Sequence, residues 1–160
     1  MLLLISDANI LIDIEVGGLL APMFSLEYVY AVPDILFYEE LEDQHAHLTA
    51  LGLQTMSMDE TQVRRVEALA QTYIKPSRVD LFALVLARHC ECPLLSGDED
   101  LRVAARAEGL DVRGTIWLVE EMLRQQKISV HVARTAYVQM RAQGRRLPWD
   151  IIETRLLDLE

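Results

Sequence analysis

The chain has only two cysteines, Cys90 and Cys92, in 160 residues. Standing one residue apart, they are too close for an easy bridge and too few for a disulfide framework or a zinc site, so reduced core thiols are expected. Long hydrophobic runs are missing as well. Nothing approaches the roughly 18 apolar residues of a membrane span, and the N-terminus has no basic segment or small-residue cleavage site ahead of its apolar stretch. The expected location is cytoplasmic, without membrane contact. Basic residues are the minority, 15 Lys and Arg against 25 Asp and Glu, for a formal net charge of −10. That balance argues against gripping nucleic acid by a broad basic surface, but it leaves a nuclease open, because carboxylates gathered around a cation carry charge that the cation offsets. Repeats, low-complexity tracts and interdomain linkers are absent too. With 51% hydrophobic and 25% charged residues, disordered and collagen-like classes are excluded and one domain with a proper core is expected.

What the chain does contain is an alternation of strand-like and helix-like segments. The apolar run Leu2–Ile5 is short enough for a buried parallel strand and meets Ser6, Asp7 and Asn9 before apolar residues resume at Ile10. A helix follows to Gly17 and Gly18, with another turn or two over Leu19–Leu26. Tyr28–Val32 is aromatic and β-branched, a second strand, and Pro33 and Asp34 open a helix expected to run to about Gly52. Leu53–Met58 alternates as a third strand. Asp59 with Gln62 forms a capping-box pattern ahead of a helix whose face is Val63, Val66, Leu69 and Ala70. Lys75 and Pro76 end that pattern, and from Val79 the run VDLFALVLA is apolar on nearly every side, which predicts a buried helix. Leu94 and Leu95 form a brief strand. A helix over Glu99–Glu108 stops at Gly109, Leu110–Arg113 is the last strand, and Gly114 and Thr115 open a helix to about Gln125. The rest is helical, with Ser129 capping a segment that ends at Gly144 and Pro148 opening a final helix through Trp149, Ile152 and Leu156. The alternation predicts a single α/β domain, a central parallel sheet with helices on both faces and a helical C-terminal tail.

Three acids fall at strand ends or helix starts, Asp7, Asp80 and Asp98, and Glu40 lies about two turns into the helix after the second strand. In open α/β sheets ligands bind at the carboxyl edge, so these acids are site candidates. Each also has a plain structural reading. Asp7 or Ser6 fits a helix N-cap, Ser77-x-x-Asp80 fits a capping box, Asp98 fits an N-cap with Glu99 and Asp100 in the first turn, and Glu40 belongs to a charged run with Glu39, Glu42 and Asp43. Taken jointly, four acids converging on one edge repel one another and are normally tolerated only with a cation or shifted pKa values. Oxygen donors without a His or Cys cluster select Mg²⁺ or Mn²⁺ over zinc. His45 and His47 read as surface residues, and His89 and His131 have no evident partner.

The series SDANILI around Asp7, VPDILFYEEL around Glu40, SRVDLFALVLAR around Asp80 and LLSGDEDL around Asp98 resembles, in order and spacing, the four acidic motifs of PIN-domain ribonucleases. The resemblance covers about residues 1–125, a PIN-like nuclease domain of three-layer α/β/α type. Residues 126–160 are similar to the helical tail of a prokaryotic subgroup related to VapC-type toxins, expected to pack on the same domain. What the resemblance implies is a metal-dependent endoribonuclease, the toxin of a toxin–antitoxin pair. By motif position Asp7, Glu40, Asp80 and Asp98 would be catalytic and hold one or two Mg or Mn ions, while Asn9 and Ser96 would hydrogen-bond the ligands or bound water. Glu39 competes with Glu40, and Asp100 is an extra acid two residues after Asp98. The implied partners are RNA, an antitoxin protein and further copies of the chain. The alternatives are a noncatalytic PIN-fold interaction module and a Mg-dependent phosphatase. Phosphatases of the haloacid-dehalogenase type need a second Asp where this chain has Asn9. Among the basic residues, Arg102 and Arg106 on the helix after Asp98, and Arg145 and Arg146 near the late Arg134 and Arg141, are candidates for RNA contact.

Overall fold

A buried strand needs no polar face, and Leu2–Ser6 has none: Leu4, Ile5 and Ser6 are fully buried in β1, the central strand of the sheet. The computed structural model describes all of Met1–Glu160. Beside β1 run β2 (Tyr28–Pro33) on one side and β4 (Leu94–Leu95) on the other, and β3 (Gln54–Met56) and β5 (Val112–Arg113) form the edges. The order is β3-β2-β1-β4-β5, and every pairing is parallel, with Leu4 opposite Tyr30 and Ile5 opposite Leu94. The chain therefore builds outward from β1 in one direction, then crosses back and builds outward in the other. Such a reversal opens a crevice beyond the carboxyl ends of the two strands that flank it, here β1 and β4.

Parallel neighbours require crossovers, and the helices supply them. The helices are α1 (Ala8–Val16), α2 (Leu20–Phe24), α6 (Glu60–Thr72), α7 (Arg78–His89), α8 (Glu99–Ala107), α9 (Thr115–Arg124), α10 (Val130–Ala142) and α11 (Trp149–Leu159), with the short α3, α4 and α5 described below. As its lack of a polar face predicts, α7 buries Leu81–Ala87 without interruption and packs on β1, β2 and β4, with α6 and α8 against it. The second group, α1, α2, α9 and α10, packs mutually. Gly17, which ends α1, lets α10 come close: a Cβ there would stand 2.7 Å from the Met140 methyl and 3.2 Å from the Ala136 Cβ. The Asp59–Gln62 capping box forms as expected.

The segment after β2 departs from the sequence reading. Instead of one helix to Gly52, the chain makes α3 (Asp34–Leu36), a π-helical turn over Phe37–Leu41, α4 (Glu42–His45) and α5 (Leu48–Leu51). The polar stretch EDQHAH offers no apolar face to hold a continuous helix on the core, whereas Leu36, Phe37, Leu41 and Leu48 are buried. His45 also corrects the surface assignment. Its side chain is 16% exposed and its Nδ1 lies 2.5 Å from Glu15 of α1, which takes His47 Nε2 on its other oxygen. The cysteines are free, with Cys92 buried and Cys90 partly so.

Candidate metal centre

Asp7 follows β1 at its carboxyl end and is the N-cap of α1. Its backbone N–H still belongs to the sheet, donating to Leu95 O at 2.9 Å, while its side chain already caps α1, Oδ1 accepting from Ile10 N at 3.0 Å. Cap and site are not alternatives here, since a carboxylate has two oxygens. Asp7 is 1% exposed, and its Oδ2 is buried with no hydrogen-bond partner. An unpaired buried carboxylate oxygen is costly. Burial, opposed by the Ile10 hydrogen bond and by the nearby Ser96 hydroxyl, and assisted by the charges of Asp80 and Asp13, pushes the Asp7 carboxyl up to about 7.

Of the other acids in the motif series, Asp80 is the one whose charge acts on Asp7 itself. Asp80 stands in the first turn of α7, whose N-cap Ser77 accepts from Asp80 N at 3.0 Å. Only this half of a capping box forms, so the Asp80 carboxyl is not consumed by the cap. Burial raises it, the Ser77 hydroxyl lowers it, and the charge of Asp98 raises it again. Asp98 caps α8 through Oδ1, accepting from Leu101 N at 3.0 Å, and its own N–H donates to Ser96 Oγ at 3.1 Å. Ser96 is fully buried at the end of β4, where its carbonyl accepts from Arg102 Nη1 at 2.6 Å. Glu40 projects from the π-helical turn. Desolvation of its carboxyl, then the charges of Asp80 and Glu39, raise it, although the residue is exposed as a whole and water screens the shift. The structure thus couples Asp7 to Asp80, Asp80 to Asp98 and Glu40 to Asp80. Glu39 is exposed on the same π-helical turn, where its charge acts on Glu40, and Asp100 is exposed in the first turn of α8.

No three Asp, Glu, His or Cys side chains converge closely enough to cage an ion by themselves. A hard cation does not need such a cage: Mg²⁺ keeps several waters and is commonly held by one or two carboxylates together with substrate phosphates. An all-oxygen donor set, an orphaned buried carboxylate oxygen and like charges around it fit that kind of site. The largest cleft, about 660 Å³ between α9, the start of α10 and the end of α11, contains none of these acids. The chemistry follows the carboxylates, not the size of the cleft.

Asn9 and Arg145 fall differently from expectation. Asn9 is exposed and its Oδ1 accepts from Arg145 Nη2 at 3.2 Å, with no bond to the acids. Arg145 Nε donates to Asp13 Oδ1 at 2.6 Å, and Thr115 Oγ1 donates to Asp13 Oδ2 at 2.8 Å. The segment after α10 is therefore fastened to α1 at Asp13, nearly two turns beyond Asp7. The one sequence signal for Asp13 is an acid four residues after Asn9 in an otherwise apolar helix start, and nothing local joins it to Thr115 or Arg145. Arg106 is exposed on α8, and Arg146 is exposed beyond α10 without a carboxylate partner.

Fold and edge together define a class: a parallel α/β protein in which Asp7 and Asp98 follow the two strands that flank the reversal of its sheet. The model of the DUF3368 family, a PIN domain, matches residues 3–160, and the chain belongs to the PIN-domain family. The fold is shared with a PilT N-terminus domain protein from the hyperthermophilic archaeon Sulfolobus solfataricus P2, at a TM-score of 0.54 and 14% identity over 77% of this chain and 94% of that one. No curated protein matches the sequence.

Proposed function

We propose that the protein is a divalent-metal-dependent endoribonuclease whose Asp7, Glu40, Asp80 and Asp98 hold Mg²⁺ or Mn²⁺. The observation that carries this reading is the buried Asp7 Oδ2, which has no partner in the protein while the opposite oxygen is committed to the α1 cap. A bound divalent ion supplies a water of lowered pKa and neutralises charge on the phosphate oxygens. The chain's own contribution is placement. Oδ1 of Asp7 is pinned to Ile10 N, which leaves Oδ2 uncommitted, Ser96 fixes the backbone of Asp98, and Arg102 fixes the carbonyl of Ser96. PIN-family membership favours a nuclease, and the resemblance to VapC-type toxins extends the reading to an RNA substrate, a toxin role with an antitoxin partner, and self-association.

A second reading, a PIN fold kept for protein contacts without catalysis, is favoured by the absence of a preassembled three-ligand cage. Cleavage of a mixed RNA pool with Mg²⁺ or Mn²⁺, set against the same reaction in excess EDTA, separates the two. The nuclease reading expects cleavage that stops with chelator and is abolished in Asp7→Asn and Asp80→Asn. Undiminished cleavage in EDTA, or near wild-type activity in both variants, would refute it, and no cleavage with either metal would favour the second reading.

A further inference from the structure

Most cations of this acidic chain are spoken for. Nine of its 13 arginines pair with carboxylates: Arg64, Arg65, Arg78, Arg88, Arg113, Arg124, Arg134, Arg145 and Arg155. Of the four that do not, Arg102 and Arg146 line one cleft of about 500 Å³, a volume in the range of small-ligand sites. The cleft includes Gly97, the residue between Ser96 and Asp98, although none of Asp7, Glu40, Asp80 and Asp98 lines it. Arg102 also feels the charge of Asp7, which places the cleft and the acids within one electrostatic neighbourhood.

Its remaining walls come from both parts of the chain. Arg113 of β5 lies with its guanidinium carbon 4.5 Å from the centre of the Trp117 ring, and Tyr28, anchored by a 2.6 Å hydrogen bond to Glu121, supports that ring with centroids 5.6 Å apart. Arg146, Leu147 and Pro148, from the connection between α10 and α11, close the opposite side. The Arg145 bonds to Asp13 and Asn9 hold that connection in place. Glu99 is the one acid on the wall.

We propose that this cleft binds one nucleotide of a single-stranded RNA flanking the cleaved phosphodiester, its phosphate on Arg102 and Arg146 and its base against the Arg113–Trp117 stack. The assignment rests on the ribonuclease reading and adds to it that the C-terminal segment is part of the substrate site. Unpaired guanidinium groups favour a phosphate, and a guanidinium backed by an aromatic ring offers a flat platform to an unstacked base. A duplex keeps its bases stacked and cannot offer one to a concave cleft, so the strand is single. Glu99 works against the phosphate.

The test is fluorescence anisotropy of a short labelled single-stranded oligoribonucleotide with full-length protein in EDTA, across a salt series. Arg146→Gln removes an exposed, unbonded cation and should flatten the log–log salt slope by roughly 0.7. Glu99→Gln should tighten binding. In Trp149→Phe protein, where Trp117 is the remaining tryptophan, the oligonucleotide should quench the intrinsic fluorescence, and Arg113→Gln in that background should reduce the quench. An unchanged slope in Arg146→Gln with unquenched Trp117, in protein that binds and cleaves RNA, would overturn the cleft assignment and leave the ribonuclease reading standing. Wild-type protein that neither binds nor cleaves the RNA would overturn both.

Discussion

At the scale of single residues, Asp7 shows how one side chain serves the fold and the site together. Its ordinary ionisation lies near 3.8 in the unfolded chain and about 7 in the folded one. Between those values the folded protein keeps a proton that the unfolded chain has lost, so the stability associated with Asp7 is complete below about pH 4 and is lost as the pH rises through about 7. Its size follows from about 1.4 kcal/mol per pKa unit, or about 4 kcal/mol over the interval as an upper bound. Asp7→Asn keeps a capping oxygen and removes the titration. Melting curves without metal, taken from about pH 4 to about pH 8, should therefore decline with pH less steeply in Asp7→Asn than in wild type, and the variant should be at least as stable at neutral pH. A steeper decline in the variant would show that burial does not raise this carboxyl. The sequence exposed Asp7 as cap or ligand without deciding, because the division of labour between Oδ1 and Oδ2 depends on the β4 edge, which is far away in the chain.

At the scale of elements, the strands and the long helices were legible because each has a single dominant signal: Leu2–Ile5 a wholly apolar run, Asp59–Gln62 a cap, Leu81–Ala87 an element buried on all sides. The π-helical turn at Phe37–Leu41 was not. A π turn inserts a residue without changing composition, and what holds it is the burial of Phe37 and Leu41, with α1 packed against the turn. Its consequence is the aim of Glu40. If Glu40 is a ligand, Glu40→Gln lowers the rate constant of RNA cleavage at least tenfold, about 1.4 kcal/mol of barrier, while Glu39→Gln stays near wild type. Equal losses in both would return Glu40 to the solvated charge run. The joint between α1 and the C-terminal segment was also hidden, since a pair such as Asp13 and Arg145 leaves no local pattern. Asp13 is nearly buried and Arg145 about a quarter exposed, so truncating the arginine strands a buried carboxylate. Arg145→Ala should cost about 2–3 kcal/mol in urea unfolding, somewhat below the 3–5 kcal/mol typical of a fully buried pair, and Asp13→Asn in the same chain should recover part of it. A loss under about 0.5 kcal/mol would mean the joint is only a surface contact.

For the whole molecule, the net charge of −10 and the internal pairing of most arginines mean that, on the proposed reading, RNA would be met only locally, at the few cations left unpaired. Everything then turns on whether the carboxyl edge of the sheet takes a divalent ion. Calorimetric titration of Mn²⁺ into wild-type, Asp7→Asn and Asp80→Asn protein at about pH 6, where Asp7 still holds its proton, measures this without reference to activity. The account predicts saturable binding by the wild type, with proton release as Asp7 ionises, and its loss in both variants. Equal Mn²⁺ binding by all three, or none by the wild type, would contradict it.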